Sequence, residues 1–130
     1  MTSVIIPNSV TKISNAVFRY CVNLKTVTIP KNVISIGEYA FADCTSLTKV
    51  IIEEGAQSIN SFSFYNCSSL ESIYIPDSIT YIDDFAFSDC YNVTIYCSWG
   101  SYADRYSFTH MIPCYLTGGE KTVNDGQVEQ

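Results

Sequence analysis

Six cysteines, one histidine and a run of aspartates are the residues in this 130-residue chain that could do chemistry. Four of the cysteines, Cys21, Cys44, Cys67 and Cys90, lie 23 residues apart. Zinc-binding thiolates usually come as close C-x-x-C pairs, and none of these four has such a partner. Each instead follows a phenylalanine by three residues: Phe18, Phe41, Phe64 and Phe87. A cysteine in apolar surroundings behaves as a small hydrophobe. A ladder of buried thiols is therefore expected, with disulfides or a metal site as the alternatives. Stacked turns would bring neighbouring cysteines to roughly 4.8 Å between Cα atoms, within reach of a disulfide, but parallel inward Cβ vectors suit that bond poorly. Cys97 and Cys114 stand outside the period. They either pair across the segment between them or are unrelated thiols.

Nucleophilic catalysis needs a nucleophile, a base and an orienting group within reach of one another. The only candidate imidazole, His110, falls at the end of a predicted short helix, where the helix dipole favours it. No G-x-S-x-G, H-E-x-x-H or glycine-rich phosphate loop is present. Asp83, Asp84 and Asp89 lack the spacing of an EF-hand loop and read as turn residues and solvated acids. No catalytic residue, cofactor or metal is expected, and the chain is not expected to be an enzyme.

The elements that would position these groups follow from the period itself. Ile13, Ile36, Ile59 and Ile82 recur every 23 residues, as do Ile6, Ile29, Ile52 and Ile75. A fixed period of this length means stacked units, none of which can bury its apolar face alone. The units begin at Val4, Val27, Val50 and Ile73 and share the phrase I-P-x-S-V-T-x-I-x-x-x-A-F-x-x-C-x-x-L-x-x-I. Alternation at Thr26, Val27, Thr28 and Ile29 predicts one parallel strand per turn, with Val27 and Ile29 inward. Pro7, Pro30 and Pro76 end the strand by removing a donor. Ser14, Gly37, Asn60 and Asp83 mark an expected tight left-handed turn. The A-F-x-x-C stretch reads as a single helical or 3₁₀ turn with Phe and Cys facing inward.

This phrase closely resembles the BspA-like leucine-rich repeat, a 23-residue type found on surfaces of bacteria and some protozoa. The resemblance covers residues 4 to about 116. The third copy departs from it at Glu53, Gly55, Ala56 and Ser63, and the first at Val17. The implied fold is a right-handed solenoid with a parallel sheet on one face and short turns or 3₁₀ segments elsewhere. Residues 1–96 would form four repeats and a shortened last strand, Asn92–Tyr96. Residues 97–116 would form a cap, whose helix starts at a capping-box-like Ser101 and Asp104 and turns Tyr102, Ala103 and Tyr106 toward the stack. The segment 117–130 is polar, with Gly118, Gly119 and Gly126, and is expected to be a disordered tail or linker.

Composition narrows the partners. The net charge is −6, and its distribution is uneven. Residues 1–50 carry Lys12, Arg19, Lys25, Lys31 and Lys49 against Glu38 and Asp43, a net of +3, while residues 51–130 carry −9. The basic part is too sparse for a nucleic-acid footprint. No apolar run is long enough to span a bilayer, so no membrane insertion is expected. The chain is expected to lack a signal peptide and to be a fragment of a larger chain, because the first repeat has no cap of its own.

Outward rows of the sheet are the expected binding surface. The central row is read as Ile5, Thr28, Ile51, Tyr74 and Thr94, with Pro7, Pro30, Glu53, Pro76 and Tyr96 on one flank and Ser3, Thr26, Lys49, Ser72 and Asn92 on the other. Ile51, Tyr74 and Tyr96, with Thr28, Lys49 and Glu53 around them, are the candidate protein-binding residues. The alternative is that these β-formers only stabilise the sheet. The resemblance implies a non-enzymatic, adhesin-like module of a secreted or cell-surface protein. Its partner would be a host matrix or surface protein, or another copy joined through the uncapped first turn. A structural spacer holding another domain off the cell surface is the alternative.

Overall fold

The structure, a computed structural model, describes residues 3–117. Within them the chain winds into about five turns stacked on one another. Each full turn contributes two strands. The longer ones are β2 (Thr26–Ile29), β4 (Lys49–Ile52), β6 (Ser72–Tyr74) and β8 (Thr94–Cys97), and they form a parallel sheet closed by β9 (Cys114–Leu116). A second parallel sheet holds the two-residue strands β1 (Lys12–Ile13), β3 (Ser35–Ile36), β5 (Ser58–Ile59) and β7 (Tyr81–Ile82). The expectation of one strand per turn is corrected by this second sheet. Two residues are too few to show alternation, and only the stacking of turns makes them a ladder.

The phenylalanine segment forms the third side. Its amides alternate between two kinds of acceptor. Val17, Arg19 and Cys21 donate to Ser14, Ala16 and Phe18, closing turns of three residues. Ala16, Phe18 and Tyr20 donate instead to Glu38, Ala40 and Ala42 in the next turn, at 2.8–3.0 Å. This alternation needs left-handed residues, which occur at Ala16, Tyr39 and Phe62 and again at Tyr20, Asp43, Asn66 and Asp89. The expected left-handed positions are therefore displaced. Gly37 and its equivalents Asn60 and Asp83 continue the ladder, donating to Ile13, Ile36 and Ile59. Gly37 is required for closeness rather than for φ: a Cβ there would lie 2.6 Å from Asn15 Oδ1 and 2.7 Å from the Ile13 carbonyl.

Inside, the repeat stacks each side chain on its own copy. The rings of Phe18, Phe41, Phe64 and Phe87 lie 5.2, 5.4 and 5.6 Å apart, nearly parallel. Cys44, Cys67 and Cys90 each donate a thiol to the carbonyl of a phenylalanine one turn below, at 3.2, 3.1 and 2.9 Å. The ladder carbonyls thus gain partners in a dry interior, as buried polar atoms require. Cys44 and Cys67 are buried, while Cys21 and Cys90, at the two ends, are only half-buried.

The irregular third copy keeps this register. Ala56 is buried where other copies hold Val33 and Ile79. Ser63 replaces alanine, and its hydroxyl donates to Gly37 (2.9 Å) and lies 2.7 Å from the Asn60 carbonyl. Gly55 has φ of 135°, and any side chain there would collide with the Lys31 carbonyl.

The far end is closed by α1 (Tyr102–Thr109). Ser101 accepts the Asp104 amide at 3.1 Å, and Asp104 reaches back to accept the Gly100 amide at 2.7 Å. Ala103, Tyr106 and Ser107 are buried, and Tyr102 packs half-buried against the core. Tyr106 sets its ring 6.3 Å from Phe87 and donates its hydroxyl to the Asp83 carbonyl at 2.7 Å. Thr117, expected to begin the tail, donates to the Cys97 carbonyl at 2.8 Å. The remainder of that expected tail, 118–130, lies outside the described residues.

Two outcomes follow from this interior. Phe64→Ala removes a fully buried ring held between two others and should cost about 3–5 kcal/mol, whereas Tyr74→Ala, on the outer face, should stay within about 1 kcal/mol. Urea midpoints at unchanged slope measure the difference, and equal shifts would invert the assigned faces. For the thiols, native labelling should modify Cys21 and Cys90 well before Cys44 and Cys67. Burial raises the Cys44 thiol from 9.0 to about 11. The hydrogen bond to Cys90, then burial, push Cys67 up as well. The folded state disfavours the Cys44 thiolate, so its contribution to stability is complete below pH 9.0 and is lost as pH rises through about 11. A urea midpoint unchanged across that window would contradict the buried ladder.

Candidate protein-binding face

The five-stranded sheet presents one row of outward side chains at its centre. Its register pairs Thr28 with Ile51, Ile51 with Tyr74, Tyr74 with Tyr96, and Tyr96 with Tyr115. The expected alignment of the last full strand is corrected here by two residues. Thr94 lies beside Ser72 on the flank, and Tyr96 belongs in the central row next to Tyr74. A two-residue slip preserves which side chains point inward, so alternation alone could not reveal it.

The corrected row is a tyrosine ladder. Tyr74 and Tyr96 stack with ring centroids 4.5 Å apart and planes 20° from parallel. Tyr115 follows at 5.3 Å, tilted by 35°, and is 62% exposed. On the other side Lys49 holds its ammonium 5.7 Å from the Tyr74 centroid. The faces of Tyr74 and Tyr96 are thus occupied by neighbours. What they offer to solvent is ring edge and hydroxyl. A sugar or nucleobase stacks on ring faces, whereas edges and hydroxyls suit an amphipathic protein contact. Along one side of the ladder runs a cleft of about 210 Å³ lined by Ile52, Glu54, Tyr74, Pro76, Asp77 and Tyr96, among others.

The candidate residues therefore fall into two groups. Ile51, Tyr74 and Tyr96 come together with Lys49. Thr28 continues the row toward the first turn and is exposed. Glu53 is exposed beyond the strand, its amide donating to the Ile29 carbonyl at 2.9 Å. Two aromatic features escape a reading of strand rows. Tyr115 arrives on β9, a strand outside the period that follows the cap helix and pairs with β8. A second ladder, Tyr39, Phe62 and Phe85, stacks at 5.1 and 5.7 Å on the turn side. Its 23-residue spacing was the available signal. Arg19 closes the first end of that ladder, its guanidinium 4.5 Å from the Tyr39 centroid and its Nε donating to Asp43 at 3.1 Å.

The groups singled out for chemistry are occupied by structure. His110 places Nε2 3.0 Å from Asp84 Oδ1 and Nδ1 3.0 Å from the Tyr106 carbonyl, with its ring against Tyr106. It fastens the cap to the last turn. Asp83 accepts the Tyr81 hydroxyl and the Phe85 amide, both at 2.9 Å, and Asp89 accepts the Tyr91 hydroxyl at 2.7 Å. Cys97 and Cys114 are free thiols with sulfurs 3.2 Å apart. Their shared contact favours a thiolate on Cys114, lowered by the hydrogen bond from Cys97, which is itself raised. Among the described residues no three His, Cys, Asp or Glu side chains gather as a metal site. No helix among them is long and apolar enough to cross a membrane.

Known proteins match this architecture. A family model for the BspA-type leucine-rich repeat region matches residues 1–111 in six copies. A leucine-rich repeat protein of Bacteroides capillosus is 39% identical, with a TM-score of 0.62 over 68% of this chain and 64% of that one. A leucine-rich cell surface protein of Faecalibacterium prausnitzii is 30% identical, with a TM-score of 0.58 over 77% of this chain. The match spans only 32% of the Faecalibacterium protein's length. No curated protein matches the chain. The 23-residue register, the stacked parallel turns and these similarities together make the chain a member of the BspA-type leucine-rich repeat family.

Proposed function

We propose that the chain is a non-enzymatic, adhesin-like module of a secreted or cell-surface protein, and that it binds another protein through the tyrosine ladder. The observation that carries this reading is the row Ile51, Tyr74, Tyr96 and Tyr115, gathered on one open sheet face beside Lys49. Tyrosine supplies large contact area with few rotors and a polar tip, which is why it is enriched in interfaces. The surrounding charges give the patch a polar rim. The likeness to a cell-surface protein supports an extracellular setting. We read residues 1–96 as the repeats that carry the face and 97–116 as the cap that closes it.

The partner is a protein with basic patches, because residues 51–130 carry a net charge of −9 and like charges at a rim repel the wrong partners. Association should therefore be steered electrostatically and weaken as salt rises. The triple substitution Ile51→Ser, Tyr74→Ser and Tyr96→Ser should leave the far-ultraviolet circular dichroism of the fold unchanged. It should reduce binding to immobilised basic extracellular-matrix proteins at least about tenfold, since buried aromatic anchors carry most of the energy of such contacts. Binding of the folded triple variant equal to that of the parent chain would return this face to a purely structural role.

A further inference from the structure

The rims of the tyrosine face carry a charge pattern that the ladder does not explain. On the side where the strands begin, successive turns present Lys25, Thr48 and Glu71. On the side where they end, successive turns present Lys31, Glu54 and Asp77. Both rows run from positive in the early turn to negative in the late one. Lys25, Lys31, Glu54, Glu71 and Asp77 are all exposed, and none takes part in the ion pairs found among the described residues. Turns are spaced by roughly 4.8 Å, so Lys25 and Glu71, two turns apart, stand roughly 10 Å from each other within one chain. None of these five side chains closes an ion pair within the chain among the described residues.

We infer that this face also pairs with itself, joining two copies face to face with their stacks running in opposite directions. This rests on the reading of the tyrosine ladder as a contact surface and names a second copy of the chain as one of its partners. A twofold axis parallel to the strands, passing over the turn of Ile51, keeps each rim against the same rim of the other copy and reverses the order of turns. Lys25 then meets Glu71 of the second copy, and Lys31 meets its Asp77. Each pairing occurs twice. The other face-to-face twofold, parallel to the stack, would set Lys25 against Lys31 and Glu71 against Asp77, like charge on like charge. The charge pattern therefore selects one arrangement.

Shape selects the same one. The central row is thin at its early end, with Ile5 and Thr28, and thick at its late end, with Tyr74 and Tyr96. Reversal lays Tyr74 over Thr28 of the second copy and Tyr96 over its Ile5. Ile5 is 91% exposed in one chain, the most exposed large apolar residue among the described residues, and pairing covers it. Lys49 lies at the axis, but its ammonium leans over Tyr74, one turn away from its counterpart. Glu53 and Glu54 also face their own copies there, an unfavourable pairing that limits affinity. The row that pairing covers, from Ile5 to Tyr96, is about 19 Å long at the strand spacing. Such a face is small for an interface, which places the dimer in the weak, transient class.

Sedimentation velocity on the full 130-residue chain up to about 1 mM tests this, at low and high salt. A reversible dimer that weakens with salt is expected. Reversing one rim charge, by Glu71→Lys or by Lys25→Glu, converts two attractive pairs into repulsive ones and should raise the dimer Kd about tenfold. The double variant Lys25→Glu with Glu71→Lys should restore it. A chain that stays monomeric throughout overturns the inference. So does a dimer indifferent to the single reversals, or one that the double variant fails to restore. Charge-reversed chains that no longer dimerise yet still bind basic matrix proteins leave the contact face standing and separate the two partners. A dimer that persists in the folded Ile51→Ser, Tyr74→Ser and Tyr96→Ser variant places self-association elsewhere and overturns this geometry.

Discussion

Every turn of this molecule must hydrogen-bond to the next along all three of its sides. The long strands do so through one sheet, the two-residue strands through another, and the phenylalanine segment through alternate amides such as those of Phe18 and Phe41. This triple ladder holds successive turns at strand spacing. It follows that each side chain sits directly over its own equivalent. Only residues that pack on a copy of themselves can fill the interior, and phenylalanine rings, isoleucines and thiols do so. The backbone geometry that the ladder demands is unusual, with bulky residues such as Tyr39 and Phe62 in left-handed conformations. Such conformations persist where surrounding structure over-determines them, here through amides fixed to the next turn and rings stacked on their copies.

The same constraint acts on the surface. A tyrosine placed at the outward centre of two consecutive strands stacks whether or not a partner exists, because the strands fix its distance. Tyr74, Tyr96 and Tyr115 therefore form a rigid row with little entropy left to lose on binding. A tyrosine ladder of this kind belongs to the late half of the sheet, while the early half carries Thr28 and Ile51. Bulk and charge are thus graded along the stack together, which gives this face a direction.

The ends of the stack obey different rules from its middle. At the late end Tyr106 substitutes for another phenylalanine, meeting Phe87 edge-on instead of stacking, and its hydroxyl donates to the Asp83 carbonyl of the last turn. His110 and Asp84 fasten the same junction from outside. The half-buried Cys90, close to this junction, shows that closure is less dry than the interior where Cys67 sits. The gradient from buried to half-buried thiols is a direct record of how far each turn is from an end.

Much of this was written in the order of residues. Phe18, Phe41, Phe64 and Phe87, together with the isoleucine registers, determined a stacked solenoid, because nothing but stacking can bury so regular a set of apolar side chains. Ser101 and Asp104 determined where the cap helix begins, since capping is a local contact. The inward and outward faces of the long strands were equally legible, as alternation is a property of a single strand. Three features were decided only by the tertiary structure. The second sheet exists because neighbouring turns supply partners to strands of two residues. The left-handed positions fall at Tyr39 and Asp43 rather than at Gly37 because the amides of the next turn, and not local preference, dictate them. Tyr96, and not the expected Thr94, stands beside Tyr74 because the last turn is 22 residues long, one short of the period; the two candidates differ by two residues, which a pattern of period two cannot distinguish. Local pattern determines which way a side chain points; only the neighbouring turn decides what it stands beside.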